Sequence, residues 1–199
     1  MSIYTIVLFL HVSGAIGYFV AIGTWLLAVV SMRRTQRVEP VRALVHLMGL
    51  LGPLFAISVL LILAAGLYMA LTMWNLTSGW ILVGLISLIL IAPLGTALIE
   101  PRRRAIDRLA SEAPDGPLPP SLEQHIHDPV LLTSVQTVLV LLLGIVFLMT
   151  TKPGLVGSLI VMGVALLLGL ASGVLISRRG RLPRQGMGTT PERDKTLVG

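Results

Sequence analysis

Residues 3–37 read IYTIVLFLHVSGAIGYFVAIGTWLLAVVSMRRTQR. No Asp, Glu, Lys or Arg occurs in 3–30, and Arg33, Arg34 and Arg37 then follow in quick succession. A helix of about 20 apolar residues crosses the roughly 30 Å hydrocarbon core of a bilayer. This stretch therefore predicts a membrane-spanning helix that ends at a basic surface.

The apolar pattern recurs along the chain, and five segments are long enough to span: 3–30, 43–71, 80–99, 130–150 and 155–176. With 55% hydrophobic and 12% charged residues, the chain is too apolar for a soluble domain of 199 residues. We predict an all-α fold, a polytopic bundle of five transmembrane helices over residues 1–177, with no separate soluble domain.

The basic residues lie on one side of this predicted bundle. Of the fifteen lysines and arginines, Lys152 alone is outside the first connection, the third connection and the tail. The positive-inside bias then places the N-terminus outside and the C-terminus in the cytoplasm. We expect a multi-pass protein of the bacterial inner membrane whose basic side contacts anionic lipid headgroups. Clusters that abut apolar helices argue against nucleic acid as the partner of the net charge of +6.

The connections differ in character. Residues 101–128 are predicted to form a cytoplasmic loop whose basic start extends the third helix, with Asp128 as the N-cap of the fourth. Residues 178–199 are polar and basic, and we predict a disordered cytoplasmic tail. The second connection carries no charge and is flanked by Trp74 and Trp80, as at an outer membrane interface.

Prolines and small residues predict how the helices bend and pack. Pro53 and Pro93 are expected to kink the second and third spans. In the fifth span, Ala165, Gly169 and Gly173 recur every four residues and allow close helix contact. That ridge predicts packing inside the bundle or, alternatively, a homodimer or membrane-partner interface through the fifth helix.

His11 is the candidate cofactor-binding residue, because it lies well inside the first apolar segment. Burying an imidazole costs free energy unless the ring is hydrogen-bonded or coordinated. The functional interpretation is a haem or copper ligand, or a proton-handling group. The structural interpretation is a ring bonded to a hydroxyl or a backbone carbonyl.

The other histidines, His46, His125 and His127, are expected near the opposite membrane surface. At about 1.5 Å per residue they are too far from His11 to share one metal ion with it. They form a second candidate site, in which zinc or copper would be completed by Asp128 or Glu123. The alternative is a solvated loop. The chain has no cysteine, which excludes disulfides and thiolate ligands.

The function classes follow from what the spans contain. They carry no Asp, Glu, Lys or Arg, whereas ion-coupled carriers and proton relays need such groups, so a small-molecule transporter is disfavoured. We favour a non-enzymatic accessory or helper protein over an enzyme. The alternative is a haem- or copper-binding redox protein that uses His11.

Four short motifs carry a family resemblance: His11-Val-Ser-Gly-Ala, Leu51-Gly-Pro, Gly79-Trp and Phe147-Leu-Met-Thr-Thr-Lys-Pro. In this order and spacing, residues 1–155 resemble the bacterial integral membrane proteins of domain-of-unknown-function family 2269, and the fifth span looks like an addition. The first motif is also similar to copper-resistance D-type proteins and membrane protoporphyrinogen oxidases. That similarity implies a haem-associated role for His11. The oxidases also have a lysine within a later span and a Trp-x-Gly-Gly after the histidine, and this chain departs from both features.

Overall fold

The computed structural model describes residues 2–179, including every side chain except those of residues 92, 174 and 176–179. The predicted tail therefore lies outside the described residues from position 180 onward. The helices are α1 (Ile3–Met32), α2 (Val38–Leu50), α3 (Gly52–Thr72), α4 (Gly79–Leu94), a π-helical turn (Gly95–Ile99), α5 (Glu100–Glu112), α6 (Pro120–Ile126), α7 (Pro129–Thr151) and α8 (Leu155–Arg179). Five helical stretches are long and apolar enough to cross a membrane, which confirms the predicted all-α, five-span fold.

The second predicted span consists of two helices rather than one kinked helix. α2 ends at Leu50 and α3 begins at Gly52, with Pro53 in its first turn. Proline lacks an amide hydrogen and clashes with the carbonyl four residues earlier, but it is well tolerated in the first turn of a helix. The chain therefore starts a new helix at this point instead of bending through it.

The third span accommodates its proline in a different way from the second. Pro93 lies inside α4, and the five residues Gly95–Ile99 that follow α4 form a π-helical turn. In a π-turn each backbone hydrogen bond joins residues five apart, and such single turns occur inside longer helices without ending them. The helix then continues directly into α5, so the predicted extension of this span past its apolar part is confirmed.

The connection 101–128, expected as a loop, is largely folded. α5 packs on both α2 and α6, and these two connecting helices, α5 and α6, bury Ile106, Ala110, Leu122 and Ile126 in the core. The Arg42 side chain of α2 donates hydrogen bonds to the carbonyl oxygens at the end of α5, over 3.1 Å and 2.9 Å. Asp128 caps α7 as predicted, because its carboxylate accepts the amide hydrogen of Val130 over 2.9 Å. This connection thus closes one end of the bundle.

The two ends of the bundle have opposite character. We call the end formed by residues 33–37 with α5 and α6 the arginine end, and the end formed by residues 73–78 and 152–154 the tryptophan end. In α1, every fully buried residue comes from Gly14 onward. Near the arginine end the core is dense, and Trp25 packs edge to face on Phe55 while its indole donates to the Met48 carbonyl oxygen. The bundle is therefore tightly packed at one end and opens toward the other.

Candidate functional site

A cavity opens the bundle at its tryptophan end. α1 packs along α3, whereas α4 packs on α7 and α8, and the consecutive helices α3 and α4 have almost no contact. The two groups of helices contact each other where α1 packs on α7, and they separate from there toward the tryptophan end. The space between them encloses about 540 Å³, within the range of about 300–1,000 Å³ typical of small-molecule sites.

The cavity is lined by side chains of α1, α3, α4 and α7 and of the connections between them. Most of the lining is aliphatic or aromatic, and it includes the thioethers of Met69 and Met149. Its nitrogen-bearing side chains are His11, Lys152, Trp74 and Trp80. No carboxylate lines it, so the cavity offers no acidic partner for a proton relay.

His11 reaches the cavity from α1 and is fixed by α3. Its Nδ1 lies 3.0 Å from the carbonyl oxygen of Ile62. A carbonyl can only accept a hydrogen bond, so Nδ1 carries a proton, and in the neutral form of the ring the lone pair is on Nε2. No other described group forms a hydrogen bond with this ring. Of the two ring nitrogens of His11, only Nδ1 has the hydrogen bond to a carbonyl that the structural interpretation predicts. The second nitrogen, Nε2, remains available to a ligand.

Glycines make the room that this imidazole occupies. A Cβ added at Gly66 would lie 3.1 Å from Cε1 and 3.2 Å from Nδ1 of His11. One turn below, a Cβ at Gly14 would lie 2.9 Å from the Leu61 side chain. α1 and α3 therefore approach closely on both sides of the bond between His11 and Ile62, and the ring orientation is set by packing as well as by the bond.

The mouth of the cavity is formed by one lysine and two tryptophans. The ammonium nitrogen of Lys152 lies 4.0 Å from the centroid of the Trp74 ring and 5.7 Å from that of Trp80. The two indoles pack edge to face with centroids 5.4 Å apart. An ammonium group over an indole face is attracted by the electron density of the ring. The three side chains, which we call the Lys152 cluster, bring together the second connection and the α7–α8 turn.

The backbone of the turn aims Lys152 at these rings. Lys152 has φ 49° and ψ 51°, and in the described chain it is the only non-glycine residue with positive φ. Its amide hydrogen closes α7 by donating to the Leu148 carbonyl oxygen over 2.9 Å. On the other side, a Cβ at Gly79 would lie 2.5 Å from the Cα of Leu155, so only glycine lets α4 start beside the turn. That approach places Trp80 next to Lys152.

The second candidate site, His46 with His125 and His127, does not form a comparable cluster of side chains. In the residues that the structure describes, no three His, Asp or Glu side chains form a group able to hold a metal ion. The Nδ1 atoms of His125 and His127 each lie within hydrogen-bonding distance of a carbonyl oxygen one turn earlier, at 2.8 Å and 3.0 Å. His46 is exposed on α2. The predicted ligands are thus not assembled into one site.

The small-residue ridge of α8 faces α7 of the same chain. A Cβ at Gly169 would lie 2.8 Å from the Thr137 Cα, and one at Gly173 would lie 2.7 Å from the Thr133 Cα. Ala165 packs against Gly144 in the same row. A partner that bound α8 would have to use its other face, where leucines are exposed.

Sequence reasoning singled out His11 but missed Lys152 as a site residue. The available signal was its isolation as the one basic residue away from the arginine end. Its distance from Trp74 in the sequence hid the contact between them.

These features define a multi-pass helical membrane protein with a cavity at one end. The family model for predicted integral membrane proteins, DUF2269, matches residues 5–153, which include α1 to α7 and the Lys152 cluster. The chain belongs to this family. No curated protein and no solved structure matches it.

Proposed function

We propose that the chain is a non-enzymatic membrane protein that binds a small, largely apolar molecule in the tryptophan-end cavity. His11 supplies the directional contact. The observation that carries this proposal is the hydrogen bond from Nδ1 of His11 to the Ile62 carbonyl oxygen. It fixes the ring with Nδ1 as the donor, which in the neutral form of the imidazole places the lone pair on Nε2, on a residue that lines the cavity. Metal-binding histidines are held by this kind of bond on the nitrogen that is not coordinated.

The lining supports binding rather than acid–base catalysis. Apolar pockets with few well-placed polar groups are typical of ligand and cofactor sites. General acid–base chemistry needs titratable groups within reach of each other, and this lining contains no carboxylate to work with His11.

Haem is the ligand to test first, because the residues present fit it. His11 would hold the iron through Nε2, and the apolar walls would enclose the macrocycle. A bound haem would supply electron-transfer or gas-binding chemistry at an iron whose properties depend on that ligand. A copper ion is the alternative, since imidazole and thioethers such as those of Met69 and Met149 suit copper.

The test is an absorption spectrum and a metal analysis of protein purified in detergent, before and after addition of haem or copper. His11→Ala is expected to abolish the haem band or the bound metal. His125→Ala removes an exposed histidine at the arginine end and serves as the matched control. Binding that survives in His11→Ala, or an absence of any bound ligand in the wild type after reconstitution, would reject His11 as the ligand.

We further propose that the tryptophan end faces the outside of a bacterial inner membrane. The arginines at the other end support this orientation through the positive-inside bias. In that orientation the cavity opens toward the outer leaflet, and ligands reach His11 from the lipid or from the outer surface.

A further inference from the structure

We propose that the natural ligand of the cavity is an acidic amphiphile. Its carboxylate pairs with Lys152 at the mouth, and its apolar body extends inward toward His11. This inference rests on the proposed function, because it assigns a ligand class to the same cavity.

The acidic residues of the described chain are distant from Lys152. The nine acidic residues occupy positions 39, 100, 107, 112, 115, 123, 128, 192 and 194. Seven of them lie within residues 2–179, all toward the arginine end, and all of these except Glu123 form ion pairs with arginines. Lys152 forms no ion pair in this part of the chain. Within residues 2–179 no carboxylate pairs with this exposed ammonium group, so it is accessible to the acidic end of a molecule in the cavity.

The cation–π contacts of the Lys152 cluster hold the ammonium group in place without neutralising its charge. A cation–π contact at an exposed site stabilises the ammonium group only modestly and leaves its hydrogens free to donate. A lysine with positive φ costs free energy that glycine at this position would avoid. The turn therefore keeps a cation at the mouth at some cost to stability, although glycine would close the helix better.

The depth of the cavity sets the shape of the ligand. Lys152 is near the top of the lining, and Leu142 lies ten residues earlier on α7, about 15 Å deeper at 1.5 Å per residue. His11 lies eight residues along α1 from Ile3, about 12 Å below that end. Apart from the hydroxyl-bearing side chains of Tyr4, Tyr18 and Thr150, the lining between the lysine and the histidine is aliphatic, aromatic or thioether. A molecule with one acidic end and an apolar body of roughly this length matches both features.

The experiment uses 11-(dansylamino)undecanoic acid and its methyl ester as a matched pair of probes. Full-length protein is placed in nanodiscs of zwitterionic phosphatidylcholine at pH 8, and energy transfer from tryptophan to dansyl gives the Kd. Two of the three tryptophans lie in the Lys152 cluster, so the signal reports on this site. Empty nanodiscs correct for partition of each probe into lipid.

We expect the acid to bind the wild-type protein about three- to tenfold more tightly than the ester, as a partly exposed charge pair allows. Lys152→Gln removes the difference in affinity between the acid and the ester. Lys152→Arg keeps the charge and preserves the preference. Equal binding of acid and ester by the wild type, or a preference that survives in Lys152→Gln, overturns the proposal.

Two further outcomes separate the sources of failure. If neither probe binds, this inference is overturned, whereas the proposed function is decided separately by the haem and copper measurements. If anionic phosphatidylglycerol in the nanodisc abolishes the preference for the acid, the partner of Lys152 is a lipid headgroup, and the proposal of a cavity ligand is overturned. A preference that persists in those discs supports it.

Discussion

The ammonium nitrogen of Lys152 lies 4.0 Å from the centre of the Trp74 ring. This contact joins the second connection to the turn between α7 and α8, and it lies at the mouth of a cavity that His11 also lines. Two motifs that are far apart in the sequence, Gly79-Trp80 and Lys152-Pro153, are adjacent here because α4 begins against the turn.

Gly66→Ala should weaken ligand binding without unfolding the protein. Its Cβ would lie 3.1 Å from the imidazole of His11, so the ring must shift and its bond to Ile62 lengthens. We expect at least a fivefold loss of affinity for the ligand found by spectroscopy, as a displaced contact of about 1 kcal/mol implies. Gly23→Ala on α1 is the control, because no atom lies within 4 Å of its added methyl. An unchanged Kd in Gly66→Ala would separate His11 from the binding site.

Gly79→Ala should lower the thermal midpoint of unfolding and alter tryptophan emission. The new methyl would collide with the backbone of Leu155, so α4 has to move away from the turn, at a cost of about 1–3 kcal/mol. Trp80 then separates from Lys152. Gly154→Ala in the same turn has open space around its Cβ and is expected to keep both the midpoint and the emission spectrum. Equal behaviour of the two variants would contradict the close approach.

Gly173→Ala should destabilise the pairing of α7 with α8. Its methyl would lie 2.7 Å from the Thr133 Cα, which is backbone and cannot rotate away. We expect a loss of about 1–3 kcal/mol, seen as a lower midpoint in a detergent melt. Gly163→Ala on the same helix meets nothing within 4 Å and should be neutral or slightly stabilising, since alanine favours helix. A stable Gly173→Ala variant that loses only an oligomer would assign the ridge to a partner instead.

The Asp128 carboxylate makes two contacts, and two substitutions distinguish their contributions to stability. Its carboxylate caps α7 at Val130 and pairs with Arg102 over 2.7 Å. Asp128→Asn keeps the cap and loses the charge, so a cost below about 1 kcal/mol is expected for a partly exposed pair. Asp128→Ala loses both, with a total cost of about 1–2 kcal/mol. Identical melts for the two variants would show that the cap contributes nothing.

The orientation is tested by single cysteines in this cysteine-free chain. Asn75→Cys at the tryptophan end and Asp107→Cys at the arginine end should react with a membrane-impermeant maleimide from opposite sides, with residue 75 labelled in intact cells. Permeabilised cells should label both. Labelling of residue 107 alone in intact cells would reverse the proposed orientation.

The hydropathy of single segments was enough to find the spans, since each must be apolar whatever it packs against. Asp128 before Pro129 was also readable, because an N-cap depends on neighbouring residues only. The break at Leu51 was harder to predict. A proline either kinks a helix or begins a new one, and the packing of α2 against α5 is part of what distinguishes the two.

The sequence by itself therefore determined the number of spans, the two chemically different ends and the candidacy of His11. These depend on transfer of side chains between water and lipid, which acts residue by residue. Only the tertiary structure decided that α3 separates from α4, that Ile62 fixes the imidazole, and that Lys152 meets Trp74. Such contacts depend on which glycine faces which backbone, as Gly79 faces Leu155, and a one-dimensional pattern does not specify that pairing.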